Sequence, residues 1–304
     1  MRAPITVLVA GGTGYLGSSL VAALRERGDQ AKVLTRGAPG PGRVHWDPTV
    51  GELDPHALEG VDVVVNLVGA GVADRRWTAR RRDVLLTSRT WPTALLARRV
   101  ADARGAGTTP VTALVQGSAI GWYGSTGEHA RTEAAPAGDG FLADLVMRWE
   151  AAATPAAEAG VRVAYARTGI VLSPDAGALG RLLPLVRLGL AGRLGTGEQW
   201  WSWISKADEV RALLHLVDSP LSGPVNLTAP HPARNVDLTR AVARAWHRPA
   251  RLRVPAFALR LALGELSGEL LGSQRVVPHA LEQDGFTFLH PHVDDAAAWA
   301  RSVA

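Results

Sequence analysis

The segment Gly11-Gly12-Thr13-Gly14-Tyr15-Leu16-Gly17 has glycines at 12, 14 and 17 and also at 11, 14 and 17, between an apolar run and a helical pattern. Glycine at these spacings permits a tight turn, close approach of the backbone to a diphosphate and close packing of helix on strand, with the phosphates at the helix N-terminus. The strand-turn-helix context separates a dinucleotide loop from an ordinary tight turn. Thr35-Arg36 follows the second apolar run. A carboxylate there would accept a ribose 2′-hydroxyl, whereas a cation accommodates a 2′-phosphate. Arg36 therefore points to NADP(H) rather than NAD(H), the alternative being an exposed loop cation.

Other residue types could act beside such a cofactor. Ser118, just past a strand at 111–116, can hydrogen-bond a substrate carbonyl or hydroxyl, or satisfy the strand-end backbone. Tyr123 on the same loop is a candidate acid, and with no neighbouring cation in the chain its pKa is expected near ~10. Glu150 is a candidate substrate contact and proton acceptor, or else a solvent-facing or Arg-paired carboxylate. Trp200, Trp201 and Trp203 are three of ten tryptophans. Their faces could stack on a flat or apolar substrate, or pack between lobes. In an extended segment Trp201 and Trp203 share one side. Asp208 opens a helix, where capping and the helix dipole alone favour a carboxylate. His290-Pro291-His292 lacks the helical spacing of a zinc site and the chain has no cysteine, so no metal is implied. No Gly-x-Ser-x-Gly segment occurs, which argues against a serine hydrolase of the α/β type.

The elements that position these residues alternate through the first half. Strands are expected at 5–10, 31–35, 61–68, 111–116 and 161–166. Helices are expected at 18–27, in the basic stretch after 75, at 91–103 and at 142–158. Alternation of this kind builds a parallel sheet covered on both faces. Beyond Gly169 the rhythm becomes Gly- and Pro-punctuated, with helices at 207–217, 236–246 and 255–271 and a strand at 224–227. The fold class is α/β, a Rossmann-type doubly wound parallel sheet with a smaller C-terminal substrate lobe. Residues 1–170, with 205–228 returning to them, form the NAD(P)-binding domain, and 171–204 with 229–304 form the lobe.

The composition of the 304 residues, 47% hydrophobic and 20% charged, is that of a globular chain. No apolar run nears the ~18 residues of a membrane span, and the N-terminus lacks a signal-peptide pattern, so a cytoplasmic protein is expected. The net charge of +5 comes almost wholly from arginine, with lysine only at Lys32 and Lys206. The densest cluster, at 75–82, reads as a solvated helix face near the cofactor cleft, and no nucleic-acid partner is expected.

The glycine loop is followed in order by Asn66-Leu67-Val68-Gly69, Gly117-Ser118-Ala119-Ile120-Gly121-Trp122-Tyr123-Gly124 and Arg167-Thr168-Gly169-Ile170-Val171-Leu172. With these segments the chain resembles the extended short-chain dehydrogenase/reductase superfamily. More closely it resembles the atypical branch of epimerase-family, sugar-nucleotide-epimerase-like proteins, through Asp74-Arg75-Arg76-Trp77-Thr78, Asp139-Gly140-Phe141-Leu142-Ala143, Trp149-Glu150 and Gly223-Pro224-Val225-Asn226-Leu227-Thr228-Ala229-Pro230. Arg248-Pro249, Gln274-Arg275-Val276 and Pro278 extend the likeness through the C-terminal domain of that branch. The resemblance implies NADP(H), a small-molecule substrate, a homodimer, and cofactor contacts from Leu67, Val68, Gly69, Arg167 and Gly169 besides residues 11–17, Thr35 and Arg36.

The superfamily's usual chemistry uses Tyr-x-x-x-Lys, in which the ammonium lowers the phenol pKa. Here Tyr15, Tyr123 and Tyr165 are followed four residues on by Ser19, Gly127 and Gly169, and the pair would fall at about Leu142 and Val146. The reading is therefore an NADP(H)-dependent oxidoreductase of the atypical type acting on a small or medium organic substrate. The alternative is a non-catalytic NADP(H)-binding sensor or regulator. A nucleotide-sugar epimerase is third and rests on analogy of fold alone.

Overall fold

Val7 and Val9 pack into one apolar layer and Leu8 and Ala10 into another, so the first strand is covered on both faces, as an unbroken apolar run requires. The computed structural model describes residues 3–304. Its sheet-forming half contains β1 (Thr6–Ala10), β2 (Gln30–Thr35), β3 (Arg43–Asp47), β4 (Glu52–Leu53), β5 (Val63–Asn66), β6 (Ala113–Ala119) and β7 (Arg162–Thr168). The shorter strands β8 (Ile170–Leu172), β9 (Gly192–Leu194), β10 (Trp200–Trp201) and β11 (Trp203–Ser205) come next. They precede β12 (Gly223–Leu227), β13 (Ala233–Arg234) and β14 (Leu252–Val254).

The main sheet has the order β12-β7-β6-β5-β1-β2-β3-β4 and is parallel except for β4. The chain runs outward from β1 to β4 and then crosses to β5 on the other side of β1. That reversal opens a crevice at the carboxyl ends of the strands, where doubly wound sheets bind ligands. On one face α1 (Tyr15–Glu26) buries Leu20 and Leu24 beside Leu213 and Leu216 of a later helix. The other face is covered by α2 (Ala79–Gly105), through Leu96 and Val100. After α2 come α3 (Phe141–Ala151), α4 (Thr154–Glu158), α5 (Gly177–Arg187), α6 (Lys206–Asp218) and α7 (Asn235–Ala245). The last helices are α8 (Ala256–Leu263), α9 (Leu266–Leu271), α10 (His279–Gln283) and α11 (Val293–Ser302). A further apolar core joins α5, α7 and α11 around Trp201, Trp203, Leu183 and Leu238. Among the described residues no helix is long and apolar enough to cross a membrane.

Three helix expectations are corrected. The two helices expected around 75–103 are one, α2, which passes through Pro92. Proline removes a donor, but Leu85, Leu96 and Val100 stay buried along the helix, and hydroxyls of Thr87, Ser88, Thr90 and Thr93 bond back to carbonyls one turn earlier. The single helix expected at 142–158 is α3 and α4, the second opening with Pro155 where proline is tolerated. The segment 255–271 is likewise split, at Gly264 with φ +62°.

Candidate functional site

Close approach explains the glycines of the loop. Gly11 has φ +80°, and its carbonyl accepts the Gly14 N–H at 2.9 Å. A Cβ on Gly17 would lie 2.1 Å from that same carbonyl oxygen, and one on Gly12 would lie 2.9 Å from a Val33 methyl. The first turn of α1 holds no acidic residue and no side-chain cap, so its N–H groups and the positive end of its dipole are left for an anion.

Beside the loop lies a cleft of about 640 Å³, walled by Gly11 and Thr13, by Thr35, Arg36 and Gly37 beyond β2, and by Val68 and Gly69 beyond β5. Among the described residues Arg36 is the one charged side chain on its wall. The Asn66 carboxamide accepts the Val68 N–H at 3.2 Å and Ser88 accepts the Ala70 N–H at 3.1 Å, which fixes the segment after β5. Sequence reasoning missed Trp46 and Trp91, both on this wall, because neither stands in a motif. It also missed Arg89, whose guanidinium carbon lies 3.1 Å from where a Gly69 Cβ would be. Burial, helped by Arg81, pushes its pKa down to about 10. Arg89 donates to the Leu85 carbonyl at 3.0 Å and lies over the Trp149 ring. Among the described residues it forms no ion pair with a carboxylate, so its charge adds to the field behind Gly69.

Of the cofactor residues expected from sequence, Gly11, Thr13, Thr35, Arg36, Val68 and Gly69 line the cleft. Gly12, Gly14 and Gly17 shape the turn behind it, Tyr15 and Leu16 begin α1, and the Leu67 carbonyl packs on Gly11. Gly169 backs onto Ser202 and Thr228.

Arg167 enters a separate buried network at the carboxyl ends of β6, β7 and β12. It donates to both oxygens of Glu150 at 2.8 Å each. A further N–H of the same guanidinium reaches the Tyr123 hydroxyl at 3.0 Å. The Ser118 hydroxyl donates to Glu150 at 2.6 Å, and the Tyr123 hydroxyl donates to Asn226 at 2.7 Å. The guanidinium stacks on Trp122, 3.9 Å from the ring centre. Ser118, Tyr123, Glu150 and Arg167 are thus brought together, with Glu150 paired to arginine. The expectation that Tyr123 lacks a neighbouring cation is corrected, since Arg167 lies 44 residues away in sequence but in contact. Burial raises the phenol pKa, and Arg167 and Asn226 oppose that shift only in part. Burial also works against the charge on Arg167, but Glu150 and Tyr123 outweigh it and hold the guanidinium pKa above its ordinary value. Where the Tyr-x-x-x-Lys pair would stand, Leu142 and Val146 pack on Gly121.

The tryptophans give their faces to protein. Trp200 lies between Arg234 and Arg275, 4.0 and 4.6 Å from its ring centre, and donates to Glu128. Trp203 is fully buried, and Trp201 is buried in the same core and donates to the Leu270 carbonyl.

Glu209 of α6 is fully buried; its Oε1 accepts from Thr168 at 2.7 Å and its Oε2 has no partner. Burial pushes its pKa up to about 8. Between the unfolded value near ~4.5 and about 8 the native state holds a proton that the unfolded chain has lost, so this contribution falls as pH rises through that window and is lost above it. Glu209→Gln is expected to raise the melting temperature at pH 8.5 by about 2–4 °C and to change it little at pH 5, as thermal unfolding at the two pH values will show.

A doubly wound sheet with a glycine turn, a cleft at its switch point and a C-terminal lobe defines the class of Rossmann-fold proteins built for dinucleotides. The chain belongs to the NAD dependent epimerase/dehydratase family, whose model matches residues 7–228, and within it to the atypical short-chain dehydrogenase/reductase branch. Residues 254–300 match a domain of unknown function. The chain is 47% identical over 297 residues to an epimerase family protein of Mycobacterium tuberculosis, covering 97% of each. It superposes with TM-score 0.89 and 31% identity on the crystal structure of human epimerase family protein SDR39U1 (isoform 2) with NADPH, covering 98% of this chain and 99% of that one. It also matches the nucleoside-diphosphate sugar epimerase of Corynebacterium glutamicum with TM-score 0.79 and 34% identity, covering 98% of this chain and 58% of that one.

Proposed function

We propose that this protein binds NADP(H) in the cleft beside the glycine loop and acts as an oxidoreductase that reduces a small or medium organic carbonyl compound. The observation that carries the cofactor reading is Arg36, the one charged side chain on a cleft wall without a carboxylate among the described residues. The human relative crystallised with NADPH supports it. Gly11 to Gly17 and the start of α1 hold the diphosphate, Thr35 and Arg36 hold the 2′-phosphate, and Arg89 strengthens the field behind Gly69. Residues 171–204 and 229–304 serve as the substrate lobe.

When bound, the dihydronicotinamide supplies the hydride. The proton comes from this chain. Burial keeps the Tyr123 phenol neutral, so it holds a proton; a carbonyl oxygen takes that proton only by displacing the Asn226 Oδ1 that accepts it at 2.7 Å, and the raised pKa makes the transfer slower. Arg167, held by Glu150, which the Ser118 hydroxyl holds in turn, positions that hydroxyl.

Titration with NADPH and NADH tests the cofactor reading, with energy transfer from Trp46 and Trp91 as the signal. Arg36→Asp is expected to weaken NADPH about 10- to 100-fold and to leave NADH unchanged. Equal loss of both would reject the assignment of Arg36. Tyr123→Phe is expected to lower turnover of a carbonyl substrate about 100-fold with NADPH affinity unchanged. A second reading, an NADP(H) sensor without turnover, is favoured by the apolar Leu142 and Val146 where the proton-transfer pair would stand. Tight NADPH binding with no oxidation across a panel of ketones, aldehydes and enones would select it.

A further inference from the structure

Two segments that meet through β9 and β14, 181–195 and 246–263, hold seven arginines and no acidic residue. Arg181 pairs with Asp74, whereas Arg187, Arg193, Arg248, Arg251, Arg253 and Arg260 form no ion pair among the described residues. The first acid after them, Glu265, is taken by Arg82. Arg253 stands opposite Arg193 in the parallel pairing of the two strands, and the Leu190 N–H donates to the Leu185 carbonyl at 2.8 Å. A Cβ on Gly189 would lie 3.6 Å from the Pro249 ring, so the exit of α5 and the approach to β14 form one surface. Helix α8 leaves it after Pro255 with Phe257, Arg260 and Leu261 on one side, as spacings of three and four require. Solvated arginines alone would need no explanation. Here they surround apolar side chains. Among the described residues eleven large apolar side chains are exposed, and six of them stand in these two segments. Leu185, Leu190 and Leu252 are about half exposed, and Leu188, Phe257 and Leu261 are 72%, 72% and 77% exposed. Apolar groups gathered in this way mark a binding surface.

We infer that this face of the C-terminal lobe binds an anionic lipid surface, with Leu188, Phe257 and Leu261 entering the bilayer interface and the unpaired guanidinium groups meeting lipid phosphates. Side chains so far exposed stand out from the protein rather than line a groove, which suits entry into fluid lipid and not the packed core of a protein interface. A second copy is opposed by charge, since each side would bring six unpaired arginines and no acid from these segments. Arginine stems lie along apolar chains while their heads stay at phosphate level, so both kinds of residue are satisfied by the same surface. Anionic lipid adds an attraction for each cation that neutral lipid lacks. None of these residues lines the cleft beside the glycine loop, and the inference does not rest on the cofactor reading.

The test uses the full chain in flotation with vesicles of phosphatidylcholine, alone or with about 30 mol% phosphatidylglycerol. Flotation with the anionic vesicles only is expected, and it weakens as NaCl rises from about 0.1 to about 0.5 M. Arg251→Gln with Arg253→Gln removes two charges and is expected to weaken binding about 10- to 30-fold. Phe257→Ser with Leu261→Ser is expected to weaken it about tenfold or more. All four side chains are exposed, so the melting temperature of each double variant stays that of the parent. The chain has no cysteine, so Leu261→Cys takes a single nitrobenzoxadiazole label. Its emission is expected to shift to the blue on anionic vesicles, whereas a label at Val50→Cys, exposed on the turn before β4, keeps its emission. No flotation, equal flotation with neutral vesicles, or flotation without a blue shift at position 261 would overturn the inference. A blue shift with poly-L-glutamate but not with vesicles would assign the face to an acidic protein. A dimer in sedimentation velocity that Phe257→Ser with Leu261→Ser dissociates would assign it to a second copy, and either result overturns the lipid surface.

Discussion

Arg167→Met is expected to lower the free energy of unfolding by ~3–5 kcal/mol, the usual cost of removing one partner from a buried ion pair. The guanidinium is buried and makes three hydrogen bonds, two to Glu150 and one to Tyr123, besides stacking on Trp122. Without it the Glu150 carboxylate keeps, among the described residues, only the Ser118 hydroxyl, in surroundings that solvate charge poorly. The companion variant Arg167→Met with Glu150→Leu is expected to recover most of the loss, because replacing both ions with apolar groups of similar volume is close to neutral. Urea unfolding followed by tryptophan fluorescence measures both. A loss below ~1 kcal/mol for the single variant would mean that the pair is solvated and does not organise the ends of β6 and β7.

Gly17→Ala is expected to reduce NADPH affinity by about 100-fold or more, because it displaces the start of α1 from the turn that aims it. The new methyl would stand 2.1 Å from the Gly11 carbonyl oxygen, 2.7 Å from its carbon and 2.9 Å from the Gly12 Cα. All three are backbone atoms, so no rotamer change relieves the clash. Overpacking of this kind also costs ~1–3 kcal/mol of stability, read in the same unfolding experiment. Gly28→Ala is the control. Gly28 has φ +89° but nothing within 4 Å of the added carbon, so the change strains the backbone and leaves NADPH affinity as it was. If Gly17→Ala binds NADPH like the parent, the glycine turn is not the cofactor seat.

Much of the cleft beside the glycine loop was legible because its signals are local. Gly11 to Gly17 and Thr35-Arg36 act through turn geometry and through their place at strand ends, both of which are written within a few residues of chain. The apolar runs of β1, β5 and β6 predict strands buried on both faces, and the sheet contains them there. The basic stretch after 75 and the stretch at 91–103 read as two helices because their compositions differ, whereas the packing of Leu85, Leu96 and Val100 makes them one helix, α2, which continues through Pro92.

The amino-acid sequence by itself determined the doubly wound sheet, the glycine turn and the cation beyond β2, since each depends on periodicity or on the conformational freedom of a few adjacent residues. Only the tertiary structure decided what the polar side chains do. Arg167 meets Tyr123 and Glu150, Arg89 comes to rest behind Gly69, and the Asn235 Nδ2 is buried without a partner. Hydrogen bonds and ion pairs act over a few ångströms between residues far apart in the chain, and no local pattern records which of them the packed core will bring into contact.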